Sequence, residues 1–215
     1  MSTALESFMM FDTSLGRNAL GLERPLYHEL DDAGIVSRVC AGDMAAFEEL
    51  VRRYRNDVFS LSMHFVRSRE DAWDISQEVF IKAHRSLAGF RGEASLRTWL
   101  LRITANQCKD FLKKRRLSTV PLDETMETLP SADVRPGPDR QVEAEEVGKA
   151  IKDALDALPF KHRSAFILRE LEGLSYQEMA EAMGCNIGTV MSRLHHARKK
   201  IRDGLTERGI VLGRT

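Results

Sequence analysis

The chain has 215 residues, 43% of them hydrophobic and 30% charged, with 32 basic and 32 acidic residues and a formal net charge of zero. That content is enough to bury a core in one or two domains. No run approaches the roughly 18 apolar residues of a membrane span, and the N-terminus lacks a basic-then-apolar secretion pattern, so a cytoplasmic protein is expected. Cys40, Cys108 and Cys185 are odd in number and widely spaced, which speaks against a disulfide framework and against a paired-cysteine zinc site.

The zero net charge conceals an uneven distribution. Residues 1–27 hold 2 basic and 3 acidic residues, 28–117 hold 16 and 13, 118–160 hold 4 and 10, and 161–215 hold 10 and 6, giving nets of −1, +3, −6 and +4. Two DNA-facing modules joined by an acidic segment fit this profile, and so does a solvated acidic linker between two ordinary domains.

Residues 1–28 show no sustained period and carry Gly16, Gly21 and Pro25, so they are expected to form a flexible tail. After Gly42-Asp43, the apolar positions Phe47, Leu50, Val51, Tyr54, Val58, Leu61 and Phe65 follow helical spacing. Asp71 to His84 repeats the pattern, with Ile75, Val79 and Ala83 inward and Asp74, Gln77, Glu78 and Lys82 turned elsewhere. Past Gly89 and Gly92 a third helix is expected from about Ser95 to Arg116, with Leu96, Leu100, Ile103 and Phe111 as its inner stripe.

Residues 118–141 change character, with Pro121, Pro130, Pro136, Pro138, Gly137 and several acids, and read as a linker. Helical patterning resumes near Val142 and runs through Leu155, Leu158, Phe166, Ile167 and Leu171. No segment alternates as a strand should. The expected class is therefore all-α, two small helical domains joined by a flexible acidic linker: 29–117 and 142–207, with a tail over 208–215.

In the second domain, Ser175 followed by Glu178 is a capping box that starts a helix at Tyr176. Gly184 supplies a left-handed stop, and Asn186 is the next N-cap. Ile187, Val190, Leu194, Ala197 and Ile201 are spaced as the inner face of a second helix, which leaves Gly188, Thr189, Ser192, His195, His196 and Lys199 opposite, flanked by Arg193 and Lys200. Two short helices around a tight turn, the second with small polar residues early and cations late, suit a helix-turn-helix that reads a major groove. Adjacent histidines on a helix point about 100° apart, so His195 and His196 make a poor metal pair, and neither metal nor cofactor is expected.

The third helix of the first domain carries seven basic residues, Arg97, Arg102, Lys109, Lys113, Lys114, Arg115 and Arg116, against the single acid Asp110. A cationic helix of this kind tracks a phosphate backbone, and Trp99 within it either stacks on an unpaired base or belongs to the core.

The segments GDMAAFEELVRRY, DAWDISQEVFIKAHRSL, FRGEASLRTWLLRITANQCKDFLKKRR and LDALPFKHRSAFILRELEGLSYQEMAEAMGCNIGTVMSRLHHARKKI, in this order, resemble successive blocks of the extracytoplasmic-function (ECF) class of sigma-70 family RNA polymerase sigma factors, over about residues 31–203. The resemblance implies that Asp74, Gln77, Glu78 and Phe80 dock on the clamp helices of the largest polymerase subunit. It implies that Arg91, Trp99, Arg102, Asn106, Lys109, Lys113 and Lys114 hold the melted minus-ten strand, where a flipped base needs a pocket and flanking cations. It implies that Thr189, Ser192, Arg193, His195, His196, Arg198 and Lys199 read the minus-thirty-five duplex. Met191 and Trp73 depart from the residues many relatives carry there.

The expectation is a non-enzymatic promoter-specificity subunit with core RNA polymerase, promoter DNA and an anti-sigma protein as partners. Its rival is a stand-alone helix-turn-helix regulator that binds duplex DNA without polymerase. An enzyme built on His64, His84 and Glu78 lacks any nucleophile-base or metal-ligand spacing.

Overall fold

The structure is a computed structural model that describes the backbone of residues 26–118 and 138–210 and the side chains of 26–117 and 147–210. The described residues contain eight α-helices and no strand. The all-α expectation holds. They fall into two compact units divided between Leu50 and Val51.

In the first unit a 3-10 turn, Tyr27–Glu29, precedes helix α1, Asp32–Cys40. Tyr27 and His28 were expected in the tail but lie in this turn, and the Tyr27 hydroxyl donates to Asp43 at 2.8 Å. The remainder of the expected tail, 1–25, lies outside the described residues. Asp31 caps α1 by accepting from Gly34 N at 2.8 Å. Asp43 does the same for α2, Met44–Val66, accepting from Ala45 N and Ala46 N. Gly42, at φ +90°, supplies the stop between them that the sequence marks. Ile35, Val39, Ala46, Phe47 and Leu50 are buried.

The second unit holds the rest of α2, with Val58, Leu61, Phe65 and Val66 buried, and helices α3, Arg69–Ser86, and α4, Leu96–Ser118. Ser68 caps α3 through Asp71 N at 3.2 Å, and the expected inner stripe Ile75, Val79 and Ala83 is buried. Helix α4 packs on α3. Its buried face is rotated from the expected one: Leu96 and Leu100 are buried, but Ile103 and Phe111 are half-buried while Leu101, Thr104, Ala105 and Cys108 fill the interior. Small residues and a threonine whose hydroxyl donates back to Leu100 O at 2.9 Å escape a reading based on large apolar side chains.

Helix α5, Pro138–Asp156, begins inside the segment expected as linker. Residues 119–137 of that segment lie outside the described residues. Helix α6, Phe160–Phe166, continues into a π turn, Ile167–Leu171. The extra residue of a π turn shifts the register of everything after it. Thus Ile167 and Leu168 are buried, whereas Leu171, expected inside, is exposed. Helix α7, Tyr176–Met183, and helix α8, Ile187–Thr206, complete the fold. Ala150, Leu155 and Leu158 meet Ala197, Ile201 and Leu205 of α8 in one core, joined by Ile151, Ala154, Phe166 and Ile210. Burial of a large aliphatic side chain contributes about 1.5–3 kcal/mol, so this cluster holds α8 rigidly and leaves its opposite face outward.

Candidate nucleic-acid interface

The helix-turn-helix is built as its sequence dictates. Ser175 Oγ accepts from Glu178 N at 3.2 Å, and the Glu178 carboxylate accepts from Ser175 N at 2.8 Å. That backbone bond holds the Glu178 carboxyl below its ordinary pKa, so the cap is charged at neutral pH. Helix α7 ends at Gly184 in the left-handed conformation, φ 59° and ψ 45°, with Cys185 N donating to Ala180 O at 3.0 Å. Asn186 then caps α8 by accepting from Thr189 N at 2.8 Å.

Val190, Leu194, Ala197 and Ile201 are buried as expected. Ile187, placed on the same stripe by spacing, is 40% exposed because it opens the helix, where the inner face has not yet met the rest of the bundle. Met191, Ser192, His195, His196, Arg198 and Lys199 are exposed, with Thr189 and Arg193 half-exposed. Two of these cations are already engaged. Arg193 donates to Cys185 Sγ at 3.4 Å, and Arg198 grips Glu170 through Nε at 3.0 Å and Nη2 at 2.5 Å. The His196 ring lies 5.8 Å from that of His162 on α6. Burial, then His196 and Arg193, hold His162 below its ordinary pKa, so it is neutral at pH 7. Glu170 and His162 went unsuspected in the sequence, because only the fold brings α6 and its π turn beside α8.

On α4, Arg102, Asn106, Lys109 and Lys113 recur at intervals of four, three and four, which places them on one stripe, and all four are exposed. Lys114 is exposed beside them, and Arg91 is exposed in the preceding loop. Arg115 is drawn away, 3.3 Å from Asp71 of α3. Trp99 is half-buried, its ring 5.3 Å from that of Phe90 in the loop that opens α4. Ser95 Oγ caps the helix through Thr98 N at 3.1 Å.

On α3, Asp74 and Glu78 are exposed and Gln77 half-exposed. Phe80 requires a correction: it is only 4% exposed, turned into the core with Ile75 and Val79, so it stiffens the helix and offers no surface to a partner. Trp73, in contrast, is 44% exposed and meets Phe59 edge to face, with ring centroids 6.4 Å apart. Among the described residues no group of three or more His, Cys, Asp or Glu is arranged to hold a metal ion, and no helix is long and apolar enough to cross a membrane.

Comparison with known proteins bears on the whole arrangement. Residues 50–117 match the family "Sigma-70 region 2" and residues 148–201 match "Sigma-70, region 4". The chain is 40% identical over 181 residues to the ECF RNA polymerase sigma-E factor of Haemophilus influenzae, covering 81% of this chain and 95% of that one. It is 37% identical over 181 residues to the RNA polymerase sigma-H factor of Pseudomonas aeruginosa, covering 81% and 93%. Among solved structures, the fold is similar to the sigma factor RpoE of Bartonella quintana, determined in complex with the anti-sigma factor NepR, with a TM-score of 0.59 and 24% identity over 74% of this chain and 96% of that one.

Proposed function

Because the chain belongs to the sigma-70 family, as a member of its ECF class, we propose that it directs core RNA polymerase to specific promoters and helps open their minus-ten region. The polymerase performs the chemistry, and this chain supplies recognition. One observation carries the reading. The exposed stripe Arg102, Asn106, Lys109 and Lys113 on α4 is a second cationic surface, built on a different helix from the groove-reading face of α8. A stand-alone duplex regulator needs only the latter.

In this reading the domain over 29–117 binds core enzyme and the unwound strand, the domain over 142–207 binds the upstream duplex, and the acidic segment between them spans the polymerase. On α3, Asp74, Gln77 and Glu78 present donors and acceptors to the clamp. The α4 cations neutralise phosphates on both sides of a captured base, for which Asn106 supplies both a donor and an acceptor. On α8, Ser192 and His195 face base edges while Lys199 meets phosphate. An anti-sigma protein is the expected regulator.

Gel-shift and run-off transcription with and without core polymerase test the reading. Promoter-specific binding and transcripts that require both proteins are expected. Tight sequence-specific duplex binding by this chain alone, indifferent to core, would overturn it.

A further inference from the structure

The buried stripe of α8, Val190, Leu194, Ala197 and Ile201, fixes the helix in its domain and leaves one large apolar side chain unexplained. At 100° per residue, Met191 stands about a quarter-turn away from that stripe. It is 54% exposed, and Ile187, one turn earlier, is 40% exposed. Packing of the core therefore does not account for Met191. Its neighbours on the surface are Ser192 and His195, both exposed, with His195 four residues on and so in the same row as Ile187 and Met191.

A single exposed methionine is ordinary on a protein surface. This one occupies the early part of a recognition helix, where side chains reach base edges, and it shares an apolar step with Ile187. From Ile187 to Arg202 the helix carries five basic residues, Arg193, Arg198, Lys199, Lys200 and Arg202, and no acid. Glu170 of the π turn offsets one of them, Arg198. A protein that covered this step would need an acidic rim matched to the remaining cations, whereas duplex DNA brings phosphates along both edges of its groove. The charge selects the polyanion as occupant.

Within the major groove the chemistry narrows to one group. Guanine offers two acceptors, cytosine an amino donor, and adenine one of each, while thymine carries the C5 methyl beside its O4. The methionine thioether is uncharged, donates no hydrogen bond and accepts only weakly. Pressed against a polar edge it strips water without replacing the lost hydrogen bond. Against a methyl group it loses nothing, and its unbranched, polarizable chain adapts to the contact.

We propose that Met191, in the apolar step it shares with Ile187, reads the C5 methyl of a thymine in the upstream duplex and so specifies a T·A pair at that position. This rests on the sigma-factor reading and adds a base identity to it. Ser192 and His195, on the same face, are left to the polar edges of neighbouring pairs.

The test removes only the methyl group. A promoter is selected by the holoenzyme of core polymerase and the full chain from a library randomised over the upstream element, and each thymine of that element is replaced in turn by deoxyuridine. At one position binding is expected to weaken about four-fold, the value of one buried methyl-sized group. In Met191→Ala the difference between thymine and uracil at that position disappears, whereas in Met191→Leu, which stays apolar, it persists. Met191 is more than half exposed, so both variants are expected to fold, and thermal unfolding checks this. A selected element without thymine overturns the proposal, as does a methyl effect that survives in Met191→Ala. If every deoxyuridine is neutral and Met191→Ala binds the promoter as the native chain does, the apolar step serves a protein partner and the proposal fails. Absence of core-dependent promoter binding by the native chain overturns the sigma reading and this proposal with it, whereas core-dependent binding without methyl discrimination overturns the proposal alone.

Discussion

Arg198 on the recognition helix is bound to Glu170 of the π turn through two donors, Nε at 3.0 Å and Nη2 at 2.5 Å. A guanidinium held in this way is positioned but electrostatically spent. If Arg198 serves the upstream duplex as a phosphate contact, Glu170 competes with the phosphate for it. Replacing Glu170 by Gln removes the competitor. Duplex affinity of the holoenzyme is expected to rise several-fold, and the dependence of log K on log salt to steepen by about one unit for the phosphate gained. The pair is partly exposed, so stability changes by less than about 1 kcal/mol. Binding titrations over a range of salt check this. An unchanged slope means that Arg198 does not meet DNA.

The face of α3 separates surface from core by a simple comparison. Asp74→Ala and Gln77→Ala remove exposed or half-exposed polar groups and are expected to weaken binding to core polymerase about 10-fold together while leaving the melting temperature within a degree or two. Phe80→Ala empties a buried site and costs about 3–5 kcal/mol of stability. Its effect on core binding, corrected for the fraction folded, should be near unity. Calorimetry together with a core-binding assay distinguishes the two classes. A large loss of core affinity in fully folded Phe80→Ala would restore Phe80 to the docking surface.

Gly184 sits at φ 59°, and a Cβ there meets nothing nearer than 3.9 Å. The penalty for any other residue is thus backbone strain, without a clash. Gly184→Ala should cost about 1–2 kcal/mol, and Gly184→Asn less, because asparagine visits the left-handed region more readily. Thermal unfolding of the two variants checks the order. If valine were tolerated as well as asparagine, the turn would not depend on the left-handed conformation.

The helix-turn-helix was legible almost to the atom because its signals are local: a serine and a glutamate three apart, a glycine at the stop, an asparagine at the restart. The all-α class followed from the same kind of periodicity. What escaped is long-range or subtle. The inner face of α4 is filled by Thr104, Ala105 and Cys108, which a search for large apolar residues passes over. The π turn at Ile167–Leu171 shifts Leu171 outward, and no local pattern announces it. Phe80 lies between Glu78 and Lys82, and a motif match cannot say which side of a helix faces a partner. Arg163 meets Phe65 across 98 residues of sequence, a contact that only packing creates.

Cys108 gives the last prediction, one of reactivity and pH. It is fully buried on the inner face of α4, and burial pushes its thiol pKa from 9.0 up to about 12. Cys40 is exposed and Cys185 half-buried. Alkylation of the folded chain near pH 8 should therefore modify Cys40 first, Cys185 more slowly, and Cys108 only on unfolding, since the thiolate is the reactive form. The sign of the pH dependence follows from the same shift. Below pH 9 both folded and unfolded chains hold the proton, so the contribution of Cys108 to stability is constant. Between 9 and about 12 the unfolded chain releases it while the folded chain retains it, and stability falls with rising pH by up to about 1.4 kcal/mol per unit. Other groups titrate in this range, so the measurement is a difference: the stability gap between the native chain and Cys108→Ala should narrow from pH 8.5 to 11. A gap that stays constant would mean that the thiol ionises as easily folded as unfolded, and that the interior of α4 is open to water.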